Sequence, residues 1–462
     1  MTGMPTPEGH APSSLYTLDE HGKRLWVYPQ KIQGFFTRRR GLVSAFLILF
    51  YLLVPWIKVD GLPAIQLNIL ERQFILLGHI FWPQDVKYLV FILLGAALSL
   101  FFFTALAGRL WCGWACPQTV FLEFIFHRIE TWIEGDRNQR MSLDRAPLSV
   151  EKVLKKGFKH LIFLAFASLI ANTFLAYFVG VENVLDWMTG PPSAHWTAFI
   201  FMMANLVVFY FDFAWFREQF CTVLCPYARF QSALADEQTL QVSYDERRGE
   251  PRGKLGKSEG DCVDCGACVR VCPTGIDIRN GTQLECIGCA RCIDACDDIM
   301  RKVDKPEGLV RYDSLSRMMN QDQPLFRGRV LIYGILLIGL TIGFVWSITA
   351  RPLVEVTILR NPGEPYSILP DGRVSNHLSL RIVNKGREPR LVSFELEKPT
   401  DAELVVPVQP FHLKANSLQR MEVFVMVPQD KMQEGKLPVK LKMYSREEVA
   451  DPDVILLGPQ KR

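Results

Sequence analysis

Five long apolar stretches alternate with polar connections over the first three quarters of the chain. About 20 helical residues at 1.5 Å each cross the hydrocarbon core of a bilayer, and stretches this long and continuous do not suit the buried helices of a globular core. The pattern therefore predicts a multi-pass α-helical membrane protein with five transmembrane helices. They run from Gly41 to Ile57, Tyr88 to Ala107, His160 to Gly180, Trp196 to Phe216 and Gly328 to Ala350.

The pattern changes after the fifth stretch, in residues 351–462. Segments in which apolar and polar residues alternate, such as HLSLRIV and RMEVFVMV, are separated by turn residues. Short strands at this spacing predict a C-terminal all-β domain, an antiparallel immunoglobulin-like sandwich without its disulfide, with a barrel as the weaker alternative. Nothing in it indicates catalysis, so we expect a docking or structural role. The turns fall at Pro362-Gly363, Pro370-Asp371-Gly372, Asn384-Lys385-Gly386 and Pro399-Thr400-Asp401.

The distribution of charge predicts how the chain is oriented. Arg38, Arg39 and Arg40 directly precede the first span, whereas the third connection, Val181 to His195, contains no Lys or Arg. By the positive-inside rule, the N-terminal segment 1–40 is cytoplasmic and the tail after five spans is periplasmic. This orientation places all twelve cysteines on the reducing side of the membrane. The polar N-terminus predicts no cleavable leader. The net charge of +4 gives no case for nucleic-acid binding.

Eight of the twelve cysteines form two tandem runs within the polar connection 217–327. Each run has the spacing C-x-x-C-x-x-C-x-x-x-C, the signature of a bacterial ferredoxin with two 4Fe-4S clusters, and predicts an inserted α+β ferredoxin-like domain. Because the fourth cysteine of each run reaches the other cluster, the ligand sets cross over. We expect cluster 1 to be held by Cys262, Cys265, Cys268 and Cys296, and cluster 2 by Cys286, Cys289, Cys292 and Cys272.

Zinc sites and disulfides are the alternatives for these eight cysteines. Zinc normally needs four thiolates at wider pair separations, and disulfides need an oxidising compartment.

Gly266 and Gly288 supply backbone that approaches the inorganic sulfurs closely. Asp297 stands where the second run would usually carry proline, as Pro273 follows the first.

The other four cysteines form a second repeat, C-x-x-x-C-P, at the ends of the second and fourth spans. The motifs are Cys112, Cys116 and Pro117, and Cys221, Cys225 and Pro226. Because proline favours the first turn of a helix, Cys116 and Cys225 should cap new helices, whose dipoles lower the pKa of a thiol.

If the two spans pack together, the four thiolates meet in what we call the cysteine quartet (Cys112, Cys116, Cys221 and Cys225). It suits Cu(I), a third iron-sulfur cluster, zinc or a dithiol-disulfide pair. The alternative is that these are small apolar packing residues.

Weaker candidates lie within or near the membrane spans. Asp212 in the fourth span is a carboxylate that could pair with Arg217. A metal-entry site near the periplasmic face is a weaker candidate. Its ligands would be side chains of types that bind copper, His79, His195, Met202 and Met203. Histidines at interfaces and methionines in apolar helices also commonly serve packing alone. His160 and His195 lie at opposite faces, which argues against a bis-histidine haem.

Taken together, the C-x-x-x-C-P pair, the double ferredoxin run and the sandwich resemble the FixG/CcoG family, the accessory proteins of cbb3-type cytochrome c oxidase. The resemblance covers all but the polar N-terminal stretch. It implies a role in maturing the oxidase's copper centre, with reduction of Cu(II) to Cu(I) as the activity. The partners it implies are a cytoplasmic electron donor, copper ions, and oxidase subunits or copper chaperones.

Two other functions stay open at this point. Membrane polyferredoxins of the quinol-dehydrogenase type resemble the same motifs, although they do not usually carry the sandwich. A non-enzymatic assembly scaffold is the third possibility. The chain has neither a phosphate-cradling G-x-x-x-x-G-K nor a strand-linked G-x-G-x-x-G, so we expect electrons from another protein or from the membrane pool.

Overall fold

A computed structural model provides the structure of the chain. It describes residues 24–459 apart from 70, 83–84, 282, 284, 320–326, 362, 399–400, 433, 446–447 and 451. Residues 1–23 of the predicted cytoplasmic segment, and the predicted turn positions Pro362, Pro399 and Thr400, lie outside the described residues. The chain divides into two compact units, residues 1–342 and 343–462.

Five of the described helices are long and apolar enough to cross a membrane, which confirms the predicted helical pattern. These five are α1, α2, α7, α9 and α15 in the numbering that follows. The helices are α1 (Phe35–Leu53), α2 (Val86–Ala107), α3 (Leu110–Trp114), α4 (Pro117–Phe121), α5 (His127–Glu134), α6 (Arg137–Arg145), α7 (Val150–Val179), α8 (Val181–Thr189), α9 (Trp196–Phe211), α10 (Pro226–Leu234), α11 (Glu246–Gly249), α12 (Ala267–Arg270), α13 (Arg291–Lys302), α14 (Leu315–Met318) and α15 (Gly328–Thr349).

Single π-helical turns interrupt or extend these helices close to the cysteine quartet. Such turns are rare and occur mostly as local bulges, often at functional sites. The first joins α4 to α5, the second continues α9, and the third carries Cys221. They are Leu122–Phe126, Asp212–Phe216 and Phe220–Leu224.

Two spanning helices begin earlier than their apolar stretches because polar groups cap their first turns. The Ser149 hydroxyl accepts a hydrogen bond from the Lys152 amide at 3.2 Å, so α7 begins at Val150. The first amides of α1 are capped by Asp294, which lies on α13. Its carboxylate accepts from Phe36 N at 3.0 Å, and from Thr37 N at 2.7 Å and Thr37 Oγ1 at 2.6 Å. The ferredoxin region is therefore attached to the start of the first membrane helix.

The connection between α1 and α2 contains strands that the sequence reasoning did not predict. β1 (Lys58–Val59) pairs with β2 (Leu62–Pro63). β3 (Ile65–Asn68), β4 (Gln73–Leu76) and β5 (His79–Phe81) form an antiparallel three-stranded sheet. β3 packs on α7, and the Gln66 amide donates to the Phe178 carbonyl at 3.5 Å.

The polar connection folds around two antiparallel strands, β6 (Gln241–Tyr244) and β7 (Val310–Asp313). Val242 and Val310 from these strands pack with Ile276, Ile293 and Met300 in a buried core that also contains several of the cysteines. Burying side chains of this size contributes about 1.5–3 kcal/mol each. The cysteine-bearing loops thus rest on a small hydrophobic core of their own.

The C-terminal unit is all-β, as predicted, with two antiparallel five-stranded sheets. One sheet has the order β12-β14-β10-β8 with β9 on β10, and the other β13-β11-β15-β16 with β17 on β15. Val423, Val425 and Val427 of β14 are buried and alternate with more exposed neighbours, the period of two expected of a sheet with one core face. The strands are β8 (Val354–Arg360), β9 (Ser367–Ile368), β10 (Arg373–Asn384), β11 (Arg390–Lys398), β12 (Glu403–Val405), β13 (Phe411–Leu413), β14 (Ser417–Pro428), β15 (Lys436–Ser445), β16 (Glu448–Ala450) and β17 (Asp453–Leu457).

Candidate functional site

The eight cysteines of the ferredoxin runs line two neighbouring cavities. The first cavity is lined by Cys262, Cys265, Cys268 and Cys296. The second is lined by Cys272, Cys286, Cys289 and Cys292, and Cys268 also reaches its wall. The last cysteine of each run therefore lies with the first three of the other run, which is the distribution that the crossed ligand sets require.

Two residues with positive φ shape each run at equivalent positions. In the first run they are Asp264 (φ 51°) and Gly266 (φ 65°), and in the second Gly288 (φ 65°) and Ala290 (φ 61°). Gly266 and Ala290 directly precede α12 and α13. The sequence reasoning singled out the two glycines and missed their non-glycine counterparts, although the repeated spacing aligns all four.

The chemistry of these cavities fits iron-sulfur clusters. Burial raises the pKa of Cys268, Cys289 and Cys296 to about 12, although Arg279 opposes the change at Cys268 and Arg40 opposes it at Cys289. No three His, Cys, Asp or Glu side chains in the described part of the chain converge on a point that suits a single metal ion. Four thiolates spread around a cavity match a cubane better than the mononuclear zinc alternative.

The C-x-x-x-C-P motifs adopt the same backbone geometry twice. Four residues before the first cysteine of each motif, the chain turns at Gly108 (φ 53°, ψ −120°) and Arg217 (φ 52°, ψ −124°). Cys116 N donates to Trp111 O at 2.9 Å, and Cys225 N donates to Phe220 O at 2.8 Å. Cys116 and Cys225 then precede α4 and α10, each of which begins with proline.

The four quartet cysteines are electrostatic neighbours, since Cys221 interacts with the other three and Cys112 with Cys116 and Cys225. The pKa of Cys221 is raised well above its usual value by burial and by the nearby Cys116, Cys112 and Cys225. Burial raises the pKa of Cys112 to about 12. It also raises that of Cys116, although the amides of Thr119 and Gln118 oppose the change. The expected lowering of the Cys116 pKa by the helix N-terminus is therefore wrong in its net direction, because burial outweighs the helix amides.

A glycine joins the quartet to the second cavity. A Cβ atom placed on Gly113 would lie 2.6 Å from Ile287 O and 2.9 Å from both Cα and N of Cys289. Gly288 likewise faces α3, since its Cβ would lie 3.2 Å from the Arg109 carbonyl oxygen. Backbone therefore touches backbone between the helix that carries Cys112 and the loop that carries Cys289.

Buried charges fix this contact. Arg40, only 1% exposed, donates to Gly113 O at 2.8 Å and pairs with Glu123 at 3.1 Å. Arg291 lies 3.5 Å from the same carboxylate. Although burial raises it, the pKa of Glu123 is held below its usual value by Arg40 and Arg291. Sequence reasoning used Arg40 only for orientation, and its place at the end of an arginine triplet gave no sign of this role.

The weaker candidates have other partners. Asp212 Oδ1 accepts from Gln118 Nε2 at 3.1 Å, while the Arg217 guanidinium binds Glu130, so the suggested pairing of Asp212 with Arg217 is wrong. Met202 is packed in an apolar cluster and Met203 is exposed. His79 Nδ1 faces the Leu77 carbonyl at 3.2 Å, and His195 lies 3.3 Å from Asp186. The structure gives these four no common site.

Three parts of the chain match known protein families. Residues 216–315 match a 4Fe-4S dicluster domain, residues 88–137 a 4Fe-4S binding domain, and residues 344–459 the "IG-like fold at C-terminal of FixG". These matches confirm the inserted ferredoxin-like domain and the immunoglobulin-like class of the tail. The second range includes Cys112 and Cys116.

Relatives of known name cover most of the chain. Protein RdxA of Cereibacter sphaeroides is 39% identical over 80% of this chain and 82% of its own length. Protein RdxB of the same organism is 37% identical, over 89% of this chain and 90% of its own length. The nitrogen fixation protein FixG of Rhizobium meliloti is 33% identical, over 90% and 88%. With its five apolar helices and cysteine-lined cavities, the chain belongs to the FixG/RdxA family of iron-sulfur electron-transfer proteins.

Proposed function

We propose that this protein reduces Cu(II) to Cu(I) at the cysteine quartet and thereby serves the assembly of a cbb3-type cytochrome c oxidase. The observation that carries the proposal is the close approach at Gly113, where the helix bearing Cys112 meets the loop bearing Cys289. Two cysteine sites in backbone contact suit transfer of single electrons from one to the other.

The proposed ligands divide the chemistry between them. When bound by the two crossed cysteine sets, 4Fe-4S clusters supply one-electron storage and transfer. The quartet supplies soft thiolates, which prefer Cu(I) to Cu(II) and so favour the reduced product.

The proposed arrangement places this chemistry at the cytoplasmic face of a bacterial inner membrane. Segments 1–40 and 217–327 are then cytoplasmic, 41–216 contains four transmembrane helices with their connections, 328–350 is the fifth transmembrane helix, and 351–462 is periplasmic. The arginine triplet before the first span supports this orientation. The two-sheet tail gives a docking surface for an oxidase subunit or a copper chaperone.

The test is replacement of the four quartet cysteines by serine in the full-length protein, purified without oxygen. We expect Cu(II) reduction, followed with a Cu(I)-specific chromogenic chelator, to be lost while iron stays at about eight atoms per chain. Ala115→Ser, between the two cysteines of the first motif, is the matched control. Unchanged reduction by the four-serine variant would overturn the proposal.

A third iron-sulfur cluster is the second candidate for the quartet. The match of residues 88–137 to a 4Fe-4S binding domain favours it, because that range includes Cys112 and Cys116. It predicts about twelve irons in the wild type, falling to about eight in the four-serine variant. Metal analysis therefore separates a site that takes up copper from one that holds a cluster.

A further inference from the structure

A large cavity, separate from the two cluster cavities, lies among the helices that carry Glu130, His160 and Tyr210. It has a volume of about 520 Å³ and lies between α5, the start of α7 and the end of α9. Four Trp and Tyr residues and seven charged residues line it. We call it the interfacial cavity, and define it by Trp26, Tyr28, Tyr210, Trp215, Glu130 and Arg217.

The aromatic wall of the interfacial cavity suits a flat, lipid-borne ring. Trp26 and Trp215 are 43% and 48% exposed, as expected for rings at the boundary between lipid and water. Arg24 lies 3.9 Å above the Trp26 ring and 5.4 Å from that of Trp215, which brings the two indoles to the same cation. A cavity of about 520 Å³ has room for a drug-sized molecule.

The charges of the cavity argue against an anionic ligand such as a phosphate. Each of its four cations already has a carboxylate partner. Glu130 binds Arg140 and Arg217 and lies 3.6 Å from Lys159. Lys156 pairs with Glu134 at 2.9 Å and with Asp144 at 2.6 Å. A neutral ligand leaves these pairs intact, whereas a phosphate would have to compete with them.

One neutral polar pair faces this cavity from two membrane helices. The Tyr210 hydroxyl of α9 lies 2.9 Å from His160 Nδ1 of α7, and both residues line the cavity. A hydroxyl and an imidazole can hydrogen-bond a ligand hydroxyl or carbonyl, and an imidazole can accept a proton. Aromatic walls, paired charges and a Tyr-His pair together fit the ring of a hydroquinone.

We propose that the interfacial cavity binds the headgroup of a membrane quinol and that this quinol is the electron donor. Oxidation of one quinol breaks its two O–H bonds, forms the quinone and releases two electrons and two protons. Two Cu(II) ions, the acceptor in the proposed function on which this electron balance rests, take the two electrons. His160 takes the first proton, and the second passes to water at the mouth, beside the part-exposed Lys156 and Asp144.

The cavity and the quartet share a structural element. Arg217 lines the cavity and lies four residues before Cys221. Its carbonyl accepts a hydrogen bond from Gln118 Nε2 at 3.3 Å. Gln118 follows Cys116 by two residues and also donates to Asp212. The segment 212–221 therefore borders the donor cavity on one side and the cysteine site on the other.

Photolabelling of the full-length protein in detergent tests the site. The probe is an azido-ubiquinone, competed by decylubiquinone, with labelled peptides located by mass spectrometry. We expect label on peptides containing Tyr210 or Tyr28. Ala214→Phe, which fills the cavity wall, should lower labelling at least about tenfold, a loss of about 1.4 kcal/mol in binding. Ala204→Phe makes the same change at an exposed position of α9 and is the matched control.

Tyr210→Phe decides the result if Ala214→Phe does not fold. It keeps the ring and removes the hydroxyl, and it should weaken decylubiquinone competition severalfold at unchanged iron content. Label outside the cavity, label insensitive to both variants, or label displaced by phosphatidylglycerol but not by decylubiquinone would overturn the proposal. The last result would identify a phospholipid headgroup site.

A separate assay keeps this inference apart from the proposed function. Protein reduced with dithionite, desalted and mixed with Cu(II) needs no quinol. If that reaction fails while quinone labels the cavity, the copper function falls and the quinol site stands. If it succeeds while labelling fails, the reverse holds.

Discussion

The two cysteine repeats are both duplications, yet different interactions hold their shapes. In the ferredoxin runs, each half turns through two residues of positive φ at positions i and i+2, so local backbone conformation sets the geometry. In the C-x-x-x-C-P repeat, the corresponding turns are at Gly108 and Arg217. A non-glycine residue is strained at φ 52° and ψ −124°, and the side chain of Arg217 is bound by the buried Glu130. Local sequence thus maintains one repeat, whereas a long-range ion pair maintains half of the other.

The largest expected effect comes from breaking that long-range support. Glu130→Gln removes the negative charge shared by Arg140, Arg217 and Lys159, all of which are buried. Leaving buried charges without a partner typically costs about 3–5 kcal/mol. We expect a large fall in the melting temperature. On heating this variant, Cu(II) reduction should be lost at a lower temperature than the iron-sulfur absorption.

The control for this change is Glu151→Gln, which removes an exposed i,i+4 pair with Lys155 on α7. It should leave the melting temperature unchanged. The effect of Glu130 should also depend on pH. Although burial raises it, Arg217 and Arg140 hold the pKa of Glu130 far below its usual value. Its stabilising effect is therefore complete above the unfolded-state pKa of about 4.3 and is lost as the pH falls further. Equal melting temperatures for Glu130→Gln and Glu151→Gln would show that the buried ion pairs of Glu130 do not support the C-x-x-x-C-P repeat.

The second prediction concerns the contact between the two repeats. Gly113→Ala would place a methyl group within 2.9 Å of the backbone of Ile287 and Cys289, and backbone cannot move aside as a flexible side chain does. Overpacking of this kind costs about 1–3 kcal/mol, and the added separation should slow Cu(II) reduction by dithionite-reduced protein. Stopped-flow mixing measures that rate.

Gly157→Ala in α7 is the matched control, because nothing lies within 4 Å of the added methyl. Since alanine favours a helix over glycine by up to about 1 kcal/mol, this variant should be slightly more stable and equally active. If both alanine variants react at the wild-type rate, the contact at Gly113 is not the route between the sites.

Sequence reasoning predicted those parts of the molecule whose cause is local. The length of the apolar stretches predicted the five spans, and the spacing of the cysteines predicted the ferredoxin-like domain with its two cysteine runs. It missed the strands β1–β5 because their segments are short and lie between two spans. It also missed Asp294, Arg40 and Glu130, whose partners lie far along the chain, where single-sequence patterns give no information about contact.

The third prediction tests the attachment of the ferredoxin region to α1. Asp294→Ala removes three hydrogen bonds from the first turn of that helix, including those to the amides of Phe36 and Thr37. Loss of a helix cap costs about 0.5–2 kcal/mol. Hydrogen exchange at these amides should become faster. Asp298→Ala, on the same helix α13 but in an exposed pair with Lys302, should leave their exchange unchanged, and equal exchange in both variants would rule out the cap.

The smallest effects separate the two halves of the ferredoxin run. Gly266 and Ala290 hold equivalent left-handed positions, but only Ala290 buries a methyl group in the core. Gly266→Ala introduces backbone strain of about 1 kcal/mol, because alanine is disfavoured at the left-handed φ of 65°. The new methyl adds little to this cost, since it meets only the flexible Arg270 side chain at 3.4 Å.

Ala290→Gly relieves a similar strain but exchanges it for the loss of a buried methyl worth about 0.8 kcal/mol, so its net change should be close to zero. The loss of iron-sulfur absorption on heating reports both variants. If the two shifts are instead equal and opposite, the methyl of Ala290 contributes nothing, and local backbone strain alone distinguishes the halves.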